Sequence, residues 1–101
     1  MQAMTAQLTI ESLKAMQPEL ARSGIAALYL FGSFARGDMR EDSDIDLAFE
    51  VEPDIKFSLF DQASLQAMLE ARLGRHVDFL QRDAIHPDLR PRIERDLVRV
   101  F

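Results

Sequence analysis

Near the start of the chain, Ile10, Leu13 and Met16 recur at helical spacing, with Thr9 placed to cap the segment. Pro18 lacks an amide hydrogen, so the helix must restart or kink there. Leu20 and Ala21 then carry the apolar face on to Ser23-Gly24, a helix stop. The pattern changes at Ile25-Ala26-Ala27-Leu28-Tyr29-Leu30-Phe31, which is apolar throughout and suits a strand buried on both faces. Gly32-Ser33 breaks it, and Phe34 to Arg36 can form one helical turn closed by Gly37. Asp38 to Ser43 reads as a polar loop. Ile45 to Val51 alternates as a second strand, ended by Pro53. Ser58 to Leu73 predicts a long helix with Ser58 as cap, Asp61 in the capping-box position and Gly74 as stop. Its apolar residues spread around much of the circumference, which suggests contact on two sides. Val77 to Leu80 is a short third strand, Pro87 to Arg95 a last helix, and Leu97 to Phe101 a final strand. Helices alternating with strands give a mixed α/β (α+β) fold, a sheet flanked by helices.

The length of 101 residues predicts a single domain over 1–101, with little surface left for an added recognition domain. With 48% apolar and 29% charged residues the composition is that of an ordinary folded protein. The longest apolar run, Ile25 to Phe31, is far short of the roughly 20 residues a membrane-spanning helix needs. Met1-Gln2-Ala3-Met4 lacks the layout of a signal peptide, and the absence of cysteine excludes disulfides and thiolate metal sites. A cytoplasmic protein without membrane contact is the expectation. A net charge of −5 argues against direct nucleic-acid binding. That charge is uneven: residues 1–71 hold 5 Lys and Arg against 12 Asp and Glu, whereas residues 72–101 hold 7 against 5. An acidic first part serves solubility, and it also suits a site that collects divalent cations.

The chemistry is concentrated in Phe31-Gly32-Ser33-Phe34-Ala35-Arg36-Gly37 and Ser43-Asp44-Ile45-Asp46-Leu47. Side chains two apart on a strand share a face, so Asp44 and Asp46 present both carboxylates on one side while Ile45 and Leu47 enter the core. Two like charges so close repel unless a cation lies between them, and Mg2+ is the natural ion for carboxylates and phosphate oxygens. Gly32 lets the backbone approach a phosphate, a helical turn begun there aims N–H groups at an anion, and the Ser33 hydroxyl adds a donor. Arg36, one turn on, is placed to give the same phosphates a forked contact. If the third strand runs beside the second, Asp78 completes a carboxylate triad around two metal ions and can accept the proton of an attacking hydroxyl.

Taken singly, each feature has an ordinary reading: Asp-x-Asp as a solvated edge, Gly-Ser as a turn, Asp78 as a strand-end acid and Arg36 as a surface charge. Their order alters the balance. A buried strand, a Gly-Ser turn, ten residues, and then Asp-x-Asp among apolar neighbours place charge where an unpaired carboxylate is costly.

Gly32-Ser33, ten residues and Asp44-Ile45-Asp46 resemble the signature of the DNA polymerase β-like nucleotidyltransferase superfamily. The longer strings around them are similar to the minimal nucleotidyltransferase branch, which includes antitoxin partners of HEPN-domain ribonuclease toxins. The resemblance covers nearly the whole chain. It implies the nucleotidyltransferase fold, Gly32 and Ser33 as triphosphate contacts, Asp44 and Asp46 as metal ligands, and Asp78 as the third acid. Arg36 matches that branch's Ala-Arg-Gly and is implied in nucleotide binding or catalysis. The implied activity is transfer of AMP from ATP to a tyrosine of a small helical HEPN-type toxin, within a hetero-oligomer, using two Mg2+ ions. Two other functions stay open: an antitoxin that neutralises its partner by binding alone, and a small-molecule nucleotidyltransferase.

The remaining polar residues are less telling. His76, before Val77-Asp78, is within reach of a substrate but reads more simply as a surface or hydrogen-bonded histidine. His86 reads as a loop residue and Tyr29 as core. The arginines at 90, 92, 95 and 99 read as a solvated helix face, with an acidic partner or RNA as the other option.

Overall fold

A computed structural model describes residues 5–101. Two helices, α1 (Ala6–Ala15) and α2 (Gln17–Arg22), lead into β1 (Ile25–Phe31), the short helix α3 (Gly32–Arg36) and β2 (Ile45–Val51). Then follow α4 (Leu59–Leu73), β3 (Val77–Gln81), a 3-10 turn at Arg82–Ala84, α5 (Arg90–Asp96) and β4 (Val98–Arg99). The strands form one mixed sheet in the order β3-β2-β1-β4. β1 is antiparallel to both β2 and β4, while β2 and β3 run parallel with α4 as the connection between them.

Alternation along β1 sends its side chains into two apolar layers, as its unbroken apolar sequence requires. Leu28 and Leu30 join Leu13, Leu20, Phe34, Leu47, Leu69 and Phe79 on one side. Ala27, Tyr29 and Phe31 face the other, with Ala48 and Ile85, under Ile93 and Leu97 at the α5 end of the chain. This second layer is thin and covers the sheet incompletely. The candidate site residues lie at one end of this sheet.

Three local expectations change. The N-cap of α1 is Thr5, whose Oγ1 accepts from Leu8 N at 3.1 Å, and Thr9 lies inside the helix, fully buried. Its hydroxyl donates to Thr5 O at 2.7 Å, which satisfies it locally and lets a threonine share the apolar face with Leu13. α5 starts at Arg90 instead of Pro87. Pro91 has no amide to donate to residue 87, so the helix begins where that proline falls in its first turn. The C-terminal strand shrinks from Leu97–Phe101 to Val98–Arg99, although Val100 N still donates to Leu28 O at 2.8 Å.

α4 has the full capping box between Ser58 and Asp61. Leu65, Leu69 and Leu73, each four residues from the next, form one buried stripe. The expected spread of apolar residues around this helix is present: Ala63, Ala67 and Ala71 lie exposed along a second row, and at its start Leu59 and Phe60 are 83% and 89% exposed. Among the described residues, no helix is long and apolar enough to cross a membrane.

Candidate active site

Four chain segments meet at the end of the sheet where β1 stops. In the antiparallel register Phe31 lies opposite Asp46, and in the parallel register Asp46 lies opposite Asp78. Asp44 stands one residue ahead of β2, outside the strand. The backbone nonetheless fixes it level with β3, because Ile45 N donates to His76 O at 3.0 Å. Strand alternation then turns His76 and Asp78 to the same side as Asp46, while Ile45, Leu47 and Val77 are fully buried on the opposite side.

The phosphate-loop candidate adjoins these acids. At Gly32 the chain passes from β1 into α3 with φ +72°, a conformation costly to residues with a side chain. A Cβ at this position would overlap Asp46 Oδ2 and stand 3.1 Å from Asp46 Cγ. The backbone therefore runs directly against the carboxylate, which only glycine permits. Ser33 follows on α3, held in place by Phe34, whose side chain is fully buried in the core.

Gly32, Ser33, Arg36 and Asp46 line a cleft of about 260 Å³, closed on its far side by Arg92 and Asp96 of α5. Arg36 is held by two carboxylates, Nη1 on Asp96 at 2.8 Å and Nε on Asp38 at 3.2 Å. Hydrogen bonding to Asp96 and then Asp38 raises its already high pKa, so it is a permanent cation at the mouth of the cleft.

Asp46 has the most perturbed carboxyl. Burial comes first, then a hydrogen bond with Asp78, then the negative fields of Asp78 and Asp44; together they push its pKa up to about 7, with Arg36 opposing. Clustered carboxylates with too little positive charge are the condition a divalent cation relieves. Asp44, His76 and Asp78 each offer a ligand atom, all three within 4.8 Å of one another. The donor set therefore fits a hard or borderline cation.

A pH dependence follows. Because the folded value of Asp46 lies above that of an unfolded aspartate, the native state binds the extra proton, and stability falls as pH rises from about 4 through about 7. The metal-free protein should melt at a lower temperature at about pH 8 than at about pH 5, and saturating MgCl2 should restore more stability at the higher pH. Differential scanning calorimetry in EDTA and in MgCl2 checks this. Equal gains from MgCl2 at both pH values would contradict it.

Residues 9–100 match the family described as the nucleotidyltransferase domain. The chain belongs to that family. This nucleotidyltransferase is 33% identical over 100 residues to the protein adenylyltransferase MntA of Thermococcus cleftensis, covering 94% of this chain and 99% of the relative. A solved structure provisionally assigned as a minimal nucleotidyltransferase superposes with a TM-score of 0.76 at 34% identity, covering 97% of this chain and 98% of the other. The same fold recurs at 18% identity and a TM-score of 0.69 in the complex of a tri-AMPylated Shewanella oneidensis HEPN toxin with its MNT antitoxin, over 96% of this chain and 72% of that one.

All six residues named from the nucleotidyltransferase sequence lie at this end of the sheet. His76, which the sequence reads as a surface or hydrogen-bonded histidine, is half-exposed and stands beside two of the acids: its Nδ1 is 3.4 Å from Asp44 Oδ2 and 3.8 Å from Asp78 Oδ1. The available signal was its spacing, two residues before Asp78 on the same strand face. No sequence signal places Arg92 and Asp96 in the cleft wall, because their position depends on how α5 packs.

Proposed function

We propose that this chain is an antitoxin that transfers AMP from ATP to a tyrosine hydroxyl of a HEPN-type toxin, at a site where Asp44, Asp46 and Asp78 hold Mg2+. The observation that carries this reading is the convergence of Asp46 on β2, Asp78 on β3 and Asp44 just ahead of β2, with Asp46 lying directly against the Gly32 backbone. The MntA relative is named a protein adenylyltransferase, and a protein of this fold occurs with an AMPylated HEPN toxin. The proposed setting is the cytoplasm.

In this reading, Gly32 and Ser33 seat the triphosphate and Arg36 balances its charge from the cleft mouth. Two Mg2+ ions, when bound, would neutralise the transferring phosphate and lower the pKa of the attacking hydroxyl. A tyrosine hydroxyl has a reference pKa of about 10 and is a weak nucleophile until its proton leaves. Its oxygen bonds to the α-phosphorus of ATP, the bond to the bridging oxygen breaks, and pyrophosphate departs. Asp78 takes the phenolic proton. The remaining task is positioning, and the rigid parallel pair β2–β3 suits it.

A protein acceptor is supported by a surface away from the cleft. Leu59 and Phe60, together with Leu80 and Leu89, leave apolar side chains in solvent at the start of α4, near the end of β3 and just ahead of α5. A groove of about 380 Å³ runs between Leu59, Leu80, Ile85 and Leu89. Contiguous exposed apolar surface of this kind marks protein interfaces. Leu59→Asp should weaken the partner complex by more than about tenfold in isothermal titration calorimetry, with Tm unchanged because the side chain is exposed. Unaltered affinity would place the partner elsewhere.

The decisive experiment supplies ATP labelled at the α-phosphate, MgCl2 and, as the candidate acceptor, a HEPN-type toxin. Label should appear on that protein and be lost when its acceptor tyrosine is changed to phenylalanine. A tight complex without label would favour neutralisation by occlusion.

A further inference from the structure

We propose that His76 is a nitrogen ligand of the divalent-cation site, and that it biases the site toward first-row transition-metal cations such as Mn2+ or Co2+ over Mg2+. The inference rests on reading the Asp44, Asp46 and Asp78 cluster as a cation site, and it adds to that reading a donor of a different chemical kind.

The geometry is specific to one ring nitrogen. Nδ1 of His76 faces both Asp44 Oδ2, at 3.4 Å, and Asp78 Oδ1, at 3.8 Å. Donor atoms that share one ion at about 2.1 Å lie no more than about 4.2 Å apart, so both separations are compatible with a common cation. The opposite nitrogen, Nε2, faces Glu70 Oε2 at 3.7 Å. That oxygen is itself anchored, accepting from Val77 N at 3.0 Å.

A carboxylate behind the far nitrogen of a histidine keeps the proton on that nitrogen and leaves the near one a lone pair to donate. At 3.7 Å Glu70 makes no hydrogen bond to His76, and its contribution is the negative charge it places behind the far nitrogen. α4 supplies this carboxylate and the residue just ahead of β3 the imidazole, so the arrangement is built into the packing of two elements. Half of the His76 side chain is open to solvent, which leaves room for water or a substrate oxygen on the same ion.

Imidazole adds little to the binding of Mg2+, which favours oxygen, but binds the first-row transition ions well. The test uses the full chain with Mn2+ and with Mg2+. Pulsed electron paramagnetic resonance of the Mn2+ form should show coupling to a directly bound nitrogen. His76→Ala should abolish that coupling, and His86→Ala, at the only other histidine, should retain it. Loss of His76 should lower Mn2+ affinity by about tenfold or more, while Mg2+ affinity changes by less than about twofold. Circular dichroism should confirm the fold of the variant, since the replaced side chain is exposed. Mn2+ bound without nitrogen coupling, or coupling that survives in His76→Ala, overturns the assignment and leaves the acid site standing. No Mn2+ binding by the unaltered chain overturns both.

Discussion

Changing Asp44 and Asp46 together to asparagine should lower AMP transfer by at least about 10³-fold while leaving the metal-free fold no less stable than before. The two halves of this result have separate causes. Asparagine keeps the size of aspartate and loses the charge that attracts a divalent cation, so the proposed metal site loses two of its three acids. In the metal-free protein, those charges are a burden. Asp46 is half-buried, and its carboxyl is pushed up to about 7 by burial and by the Asp78 and Asp44 fields. A neutral amide removes the repulsion and can still hydrogen-bond Asp78. Transfer of α-phosphate label under single-turnover conditions measures the first half, and thermal melting in EDTA the second. Undiminished transfer would discard the metal site. A variant melting well below the parent without metal would instead contradict the electrostatic account of Asp46.

The parts of the fold legible in the sequence are those decided by local chemistry. β1 could be recognised because seven consecutive apolar residues between glycines have few other uses, and it is the strand buried on both faces. The bounds of α4 follow from Ser58, Asp61 and Gly74, and its capping box forms as the sequence predicts. Thr5, which caps α1, and Thr9, which the sequence pattern points to, are the same residue type. The choice between them rests on the burial of Thr9, which depends on the core that forms around it.

The same boundary divides the site. Gly32, Ser33, Asp44 and Asp46 are linked by one turn and one strand, so their proximity is almost a local property. Asp78 comes to Asp46 only through the parallel pairing of β2 and β3, which the sequence suggests by placing α4 between them and nothing local enforces. His76 travels with Asp78. Arg92 and Asp96 reach the cleft through the packing of α5 over the thinner apolar layer, a contact of high sequence separation with no motif to announce it. The Arg36–Asp96 pair, sixty residues apart, is of the same kind.

Gly32→Ala should separate the demands of the turn from those of the site. One cost is conformational: an L-residue at φ +72° costs roughly 1–2 kcal/mol relative to glycine. For a domain of this size that is a fall in Tm on the order of 4–16 °C. The second cost is steric, since the new Cβ overlaps Asp46 Oδ2. Either the turn moves or the carboxylate does. The turn is tied to Phe34, which is fully buried, whereas Asp46 is a half-buried side chain with rotatable bonds, so Asp46 yields first. Transfer should therefore fall by about 10²-fold or more even in the folded variant, because small misplacements of a reacting constellation are amplified in rate. The proposed order of yielding has a stringent check in a double-mutant cycle. With Asp46 already replaced by alanine, the steric contact is gone, and the stability cost of Gly32→Ala should shrink toward the conformational part alone. Equal costs in the two backgrounds would mean that Asp46 presents no obstacle to the new methyl group, and that Gly32 serves the left-handed turn without serving the carboxylate.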